Sequence, residues 1–202
     1  MKDRSKFQYV DVPGAPRQLQ AVMAIGANAS RRGVAPHELD RLFDHMLPGR
    51  TVVREAGGRP TVRGSCLHIS LSHSDGVSAL ALAPFPVGID VECFDPELDV
   101  LGFDPDLFGK QDFRALETCD AASRREHFYQ LWTLKEAHLK LCGRNLVSDP
   151  LPIVSGAPNT STTWIARPAG RYCVGVSWSP AVASDRSPRP AWRALADHLG
   201  PR

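Results

Sequence analysis

The sequence predicts an α+β fold of two similar-sized lobes, and three observations carry that prediction. Each half of the chain holds one region with apolar residues at helical spacing, around Leu39–Met46 and Leu131–Leu141. Each half also holds several short β-rich runs bounded by Gly, Pro and Ser turns. Pro84-Phe85-Pro86 divides the two halves. The lobes are then residues 1–84 and 85–180, followed by a tail, 181–202. No internal repeat is visible.

Residues 1–18 are polar and punctuated by Pro and Gly, so they read as an irregular or edge segment. Leu19–Ile25 is a short apolar run of strand type. Residues 27–33 form a turn that carries Arg31 and Arg32. Pro36 suits the first turn of a helix. Leu39, Leu42, Phe43 and Met46 follow at helical spacing, and Pro48-Gly49 ends the element. The β-rich residues 51–56, the turn Gly57-Gly58-Arg59-Pro60 and a second β-rich run, Cys66–Leu71, come next. After Ser72-His73-Ser74-Asp75-Gly76, residues 77–83 form another strand candidate.

The second half opens on residues 87–93, apolar at alternate positions Val87, Ile89 and Val91. A Pro/Asp/Gly-rich loop covers Asp95–Lys110. The longest helix is expected over Ser123–Leu141, with Ser123 as N-cap and Glu126 three residues on, as in a capping box. Its apolar stripe would be Leu131, Leu134, Ala137 and Leu141, and Gly143 would stop it. Strands are expected at Leu151–Val154, Thr162–Ala166 and Tyr172–Trp178. Residues 191–199 suit a terminal helix.

A chain of 202 residues, 43% hydrophobic, buries a core without disulfides or a structural metal. Lys and Arg number 24 against 22 Asp and Glu, a net charge of +2. That balance argues against a generic nucleic-acid binder and leaves room for a local basic site for a phosphorylated ligand. Five cysteines, none in a CxxC pair, read as reduced thiols serving as small buried hydrophobes. The first residues lack the apolar run of a signal peptide, and no segment approaches ~18 uninterrupted apolar residues. A cytoplasmic protein away from membranes is the expectation.

Four constellations carry chemistry. In Gly88-Ile89-Asp90-Val91-Glu92, strand alternation puts Asp90 and Glu92 on one face. Two such carboxylates repel unless a cation or a proton shares them, and they suit a hard ion such as Mg²⁺. Alone, the pair better suits a solvated strand face, where Asp and Glu are ordinary. In residues 132–140, Trp132, Glu136 and Lys140 form a ridge at i, i+4 and i+8. There Glu136 is either half of an exposed ion pair or a third carboxylate for a metal or a general base. Ser70-Leu71-Ser72-His73-Ser74 ends a strand before a polar turn, offering hydroxyl and imidazole donors to a phosphate or simply a serine-stabilised turn. Gly58-Arg59-Pro60 is a turn that presents a planar donor fork.

Taken in this order, the four motifs resemble the phosphopantetheinyl transferase family, in its monomeric surfactin-type branch and W…KEA subclass. The resemblance runs from about Gly58 to Gly143, with Gly143 and Leu146 similar to the glycine-rich end of the last motif. It implies two α/β lobes in pseudo-twofold arrangement with the active site in the cleft between them. It also implies transfer of the phosphopantetheine arm of coenzyme A to a serine of an apo acyl or peptidyl carrier protein, with release of adenosine 3',5'-bisphosphate. By the same resemblance Asp90, Glu92 and Glu136 would surround Mg²⁺, and Arg59, Ser72 and His73 would hold the nucleotide and its phosphates. Lys140 would lie near the pyrophosphate, and Glu136, or failing it Glu92, would take the serine proton. The family's Gly-Lys-Pro turn reads Gly58-Arg59-Pro60 here, and its amino-terminal basic residues are assigned to Arg31 and Arg32. Residues beyond about Pro180 match nothing in the family.

An acidic carrier calls for a complementary basic or apolar surface, expected at Asp95–Lys110 and at Arg114, Arg124 and Arg125. The resemblance implies a carrier of fatty acid, polyketide or nonribosomal peptide synthesis. Two other readings stand beside this one. A transferase-like module would bind coenzyme A or a carrier without turnover. A serine hydrolase centred on Ser72 or Ser74 would need a nucleophile elbow, and none is evident.

Overall fold

The computed structural model describes residues 7–25, 36–54, 59–144, 159–167 and 170–179. Within them lie two antiparallel sheets. The first contains β1 (Phe7–Tyr9), β2 (Gln20–Ile25), β3 (Val52–Arg54), β4 (Pro60–Val62), β5 (His68–Ser74) and β6 (Val77–Ala83), in the order β1-β2-β6-β5-β4-β3. The second contains β7 (Val87–Cys93), β8 (Thr160–Arg167) and β9 (Gly170–Trp178), in the order β7-β9-β8. Helix α1 (Pro36–Met46) belongs to the first half, and α2 (Lys110–Thr118) and α3 (Ala121–Cys142) to the second.

Side-chain alternation stacks these elements in layers. On β6, Leu80 and Leu82 turn to one side, where they meet Leu42 and Met46 of α1. Val77, Ala79, Ala81 and Ala83 turn to the other, against Val87, Ile89 and Val91 of β7 and Val174 and Val176 of β9. The alanines keep that sheet-to-sheet layer thin. The far face of the second sheet carries α3. There Gly88 and Gly175 let the helix backbone touch the sheet: a Cβ on Gly88 would lie 1.9 Å from the Ala137 carbonyl oxygen, and one on Gly175 2.5 Å from the Thr133 carbonyl carbon. Gly88 is therefore a packing residue within its motif.

Several expectations need correction. The N-cap of α3 is Asp120, whose carboxylate accepts from the amides of Ala122 and Ser123, both at 3.1 Å. Ser123 lies inside the helix, and Glu126 pairs with Arg171 instead of closing a capping box. Gly143 does end α3, in the left-handed conformation at φ 69°. The buried positions of α3 are Phe128, Tyr129, Thr133, Lys135, Ala137 and Leu139, so of the expected stripe only Ala137 is buried. The helix is covered by a sheet on one side and by the 94–118 segment on the other, which removes the single-face periodicity the stripe assumed.

Pro60, read as part of a turn, begins β4, a place in a strand where a proline is tolerated. Residues 111–118 carried no assigned element and form most of α2, whose buried apolar anchors are only Phe113 and Leu116. The five cysteines are free, and of them only Cys173 is buried. Strand Leu151–Val154, Leu146, the tail and its terminal helix lie outside the described residues.

Candidate active site

β7 is the edge strand of its sheet, and its open edge runs beside β5. Ser70, Ser72 and Ser74 alternate on the face of β5 opposite Ile69 and Leu71, and each hydroxyl meets β7. Ser70 accepts the Ile89 amide at 3.1 Å. Ser72 donates to Asp90 Oδ1 at 2.7 Å. Ser74 donates to Glu92 Oε2 at 2.9 Å and accepts the Cys93 amide at 3.1 Å. Edge amides that would otherwise be unpaired are thereby satisfied, and both carboxylates are tied to the first sheet.

Lys140 reaches the same place from α3. Its Nζ donates to Asp90 Oδ1 at 2.7 Å and to Ser72 Oγ at 2.9 Å, closing a triangle of amine, hydroxyl and carboxylate. Asp90 is 3% exposed, and its second oxygen, Oδ2, is buried without a hydrogen-bond partner. Burial, and then the Asp90 charge, push the Glu92 carboxyl up to about 7, against hydrogen bonds from Ser74 and Trp132. The same two causes in the same order raise Glu136, opposed by Lys140 and Lys135. Three acidic side chains thus gather near the Lys140 amine, with Lys135 acting on Glu136 as well, in a largely buried site. That is an excess of negative potential that a cation or a proton would relieve.

Among the described residues no three His, Cys, Asp or Glu side chains gather closely enough to hold a metal ion by themselves. A hard divalent ion needs only one or two carboxylates when substrate phosphates complete its shell. The orphaned Asp90 Oδ2 and the raised Glu92 and Glu136 fit that kind of guest.

Trp132 has two functions. Its ring stacks on Phe128 at 5.7 Å and 14°, within an aromatic cluster that includes Phe103 and Phe108, while its polar edge lies close enough to Glu92 to oppose the rise of that carboxyl. Arg59 extends toward the end of α3, where a Cβ on Gly143 would meet its Nη1 at 3.8 Å, and it lies close enough to His68 to add to the burial that lowers that imidazole. His73 alternates away from the serines and is exposed on the other face of β5. So Ser72, Asp90 and Lys140 come together by contact, Glu92 and Glu136 by charge, and Arg59 stands at the helix end. His73 does not join them, and Arg31 and Arg32 lie outside the described residues. Sequence reasoning named Ser74 only in its motif and as a hydrolase candidate, and missed its contact with Glu92 and the approach of Trp132 to Glu92. The signal for Ser74 was present: Ser72–Asp90 and Ser74–Glu92 share one separation, 18 residues.

Residues 86–174 match the model of the 4'-phosphopantetheinyl transferase superfamily, a span from the start of β7 into β9. The chain is 34% identical over 105 residues to 4'-phosphopantetheinyl transferase psf-1 of Bacillus pumilus, covering 50% of this chain and 44% of that protein. It is 31% identical over 80 residues to 4'-phosphopantetheinyl transferase gsp of Aneurinibacillus migulanus, covering 40% and 33%. It is also 31% identical over 80 residues to 4'-phosphopantetheinyl transferase Sfp of Bacillus subtilis strain 168, covering 39% and 34%. The chain spans less than half the length of these curated relatives. Asp90, Glu92, Glu136 and Lys140 all fall inside the matched span, whereas Arg59 and the β5 serines precede it. The span that carries the carboxylates and the lysine of the site is thus the part of the chain that is similar to the 4'-phosphopantetheinyl transferase superfamily.

Proposed function

We propose that this protein transfers the phosphopantetheine moiety of coenzyme A to a serine hydroxyl of an apo acyl or peptidyl carrier protein, with Mg²⁺ and with release of adenosine 3',5'-bisphosphate. The observation that carries the reading is the Asp90–Lys140–Ser72 triangle flanked by Glu92 and Glu136, inside the segment that matches the superfamily. Asp90, Glu92 and Glu136 would hold the ion together with the pyrophosphate. Bound there, Mg²⁺ supplies charge neutralisation to the phosphates.

The rest is done by the chain's own groups. The carrier serine Oγ forms a bond to the phosphorus that bears the pantetheine arm, and the bond from that phosphorus to the bridging oxygen breaks. The Lys140 amine lies where the oxygen gaining charge can be stabilised. Glu136 takes the serine proton, with Glu92 as the second choice; burial raises both, so each holds a proton more readily than an ordinary glutamate. Arg59, Ser72 and His73, with Arg31 and Arg32, are assigned to the nucleotide and its phosphates.

The reading carries two lobes in pseudo-twofold relation, 1–84 and 85–180, with the cleft between them. Its support is that β5 from the first and β7 and α3 from the second meet at the triangle. It also carries a cytoplasmic monomer; among the described residues no helix is long and apolar enough to cross a membrane. Of the arginines assigned to carrier docking, Arg124 bonds the Leu116, Glu117 and Cys119 carbonyls, and Arg125 bonds Leu98 O. The clean docking test is therefore charge reversal at exposed Arg114.

Incubation with coenzyme A, Mg²⁺ and a panel of apo carriers, read by mass, tests the activity. A carrier gaining one phosphopantetheine supports it, and no gain on any carrier sinks it. Glu136→Gln is expected to abolish transfer with the fold intact by circular dichroism; undiminished turnover removes Glu136 from the mechanism.

A further inference from the structure

We propose that Ser74 is a positioning residue that locks the Glu92 carboxylate to the backbone of its own strand. The inference rests on the transferase reading, because it concerns how a residue of that site is held. A serine hydroxyl has one proton to give. The Cys93 amide donates to the Ser74 oxygen at 3.1 Å, so that proton goes to Glu92 Oε2, at 2.9 Å. Glu92 is thus fixed relative to the amide one residue further along β7, through a side chain that the first sheet supplies.

The neighbouring serines show what is particular to Ser74. Ser72 donates to Asp90 but also accepts Lys140, so its hydroxyl belongs to the triangle. Ser70 accepts the Ile89 amide and touches no carboxylate. Three serines on one strand face therefore make one backbone contact, one contact to a charged pair and one bridge between backbone and carboxylate. Of the two that do not touch Lys140, only Ser74 aims a site carboxylate. Glu92 needs such a tether, because the Asp90 charge beside it favours any rotation that separates the two. Outer partners of this type set the orientation of an ion-binding carboxylate, and their loss typically lowers metal affinity ~10–100-fold.

The test compares Ser74→Ala, Ser74→Thr and Ser70→Ala with the unaltered full chain. Two readouts are taken: the Mg²⁺ concentration for half-maximal transfer to an apo carrier, and Mg²⁺ binding by calorimetry in the presence of coenzyme A. Ser74→Ala is expected to raise both Mg²⁺ concentrations ~10-fold or more. Ser74→Thr, which keeps the hydroxyl, restores most of the loss. Ser70→Ala removes a seam hydrogen bond and lowers Tm while leaving both values at the unaltered level. Equal Mg²⁺ requirements for Ser74→Ala and the unaltered chain overturn the proposal, as do equal losses from Ser74→Ala and Ser70→Ala, or failure of Ser74→Thr to recover. If Ser74→Ala does not fold by circular dichroism, Ser74→Cys, similar in shape and a weaker donor, takes its place with the same expectation. Absence of transfer by the unaltered chain defeats the transferase reading alone. The calorimetric ranking still decides Ser74, and no Mg²⁺ binding by the unaltered chain overturns it.

Discussion

Two lysines five residues apart on α3 occupy opposite environments. Lys140 is 29% exposed and gives its amine to Asp90 and Ser72. Lys135 is 0% exposed, its amine has no hydrogen-bond partner, and it lies 5.6 Å from the Phe108 ring centre under the segment that leads into α2. Burial lowers the Lys135 pKa, opposed by the Glu136 and Asp112 charges. A charge partly out of water with a carboxylate and a hydroxyl is a satisfied one. A charge wholly out of water over an aromatic ring is a cost the fold carries in order to seat the aromatic cluster. The contrast shows one helix with two environments: the turn at Lys140 meets Asp90 and Ser72, and the turn at Lys135 packs under the aromatic wall that holds Trp132.

Both regions depend on α3 lying flat on the second sheet, so the largest effect is expected from lifting it. Gly88→Ala drives a methyl into the Ala137 carbonyl and should cost about 3 kcal/mol, with transfer lost as well. Urea unfolding checks it, and an unchanged midpoint means that the helix sits less closely than described. Next in size is the pair Lys140→Met and Lys135→Met, for which effects of opposite sign are expected. A wholly buried ion pair costs ~3–5 kcal/mol to break; Lys140 is partly exposed, so Lys140→Met should cost about 1–3 kcal/mol and lower transfer by ~100-fold or more. Lys135→Met should leave stability unchanged or raise it, because a buried amine with no hydrogen-bond partner is replaced by a similar apolar shape. Equal destabilisation by both substitutions would erase the distinction between the two regions.

A smaller effect follows from Glu92. Its carboxyl is raised from 4.5 to about 7, so the folded state holds a proton that the unfolded chain has already released. Between pH ~4.5 and ~7 the metal-free protein therefore loses stability as pH rises, by a total on the order of 1–3 kcal/mol, and regains it on acidification through the same window. Glu92→Gln removes that slope and is the more stable protein at pH 8. Adding Mg²⁺ with coenzyme A at pH 8 should raise the Tm of the unaltered chain and leave that of Glu92→Gln closer to its starting value. A flat profile for the unaltered protein would mean that the Asp90–Glu92 pair is already relieved by another charge.

How far this site could be read from sequence depends on what each residue's partner is. Asp90 and Glu92 were legible because strand alternation is local, and Glu136 with Lys140 because helical spacing is local. Leu80 and Leu82 alternating with alanines marked a strand, and β6 is one, buried on both faces. The Ser72–Asp90–Lys140 triangle was not legible, since it joins three elements and depends on how two sheets stack. The same holds for Lys135. Its sequence position suggests an ordinary solvated lysine, and only the packing of the 94–118 segment onto α3 makes it buried. Gly88 was quoted as part of a motif, and its reason lies in a helix backbone 49 residues further on.

The two ends of α3 provide the finest separation between the regions. Asp120 holds the first turn through the amides of Ala122 and Ser123, and the Ser123 hydroxyl, followed by those amides, keeps its pKa low. Asp120→Ala should therefore lower Tm slightly, and Ser123→Ala, which removes the hydroxyl but keeps the amide that Asp120 binds, should lower it less. Because the cap is exposed and lies twenty residues before Lys140, Asp120→Ala should leave turnover and the Mg²⁺ requirement at their unaltered values. Fraying at this end loosens the aromatic side of the helix, while Gly143, whose amide bonds the Leu139 and Lys140 carbonyls, keeps the site end wound. A shift in Mg²⁺ requirement for Asp120→Ala would show that the aromatic wall transmits strain to Glu92 through Trp132, and that the two regions of α3 work as one.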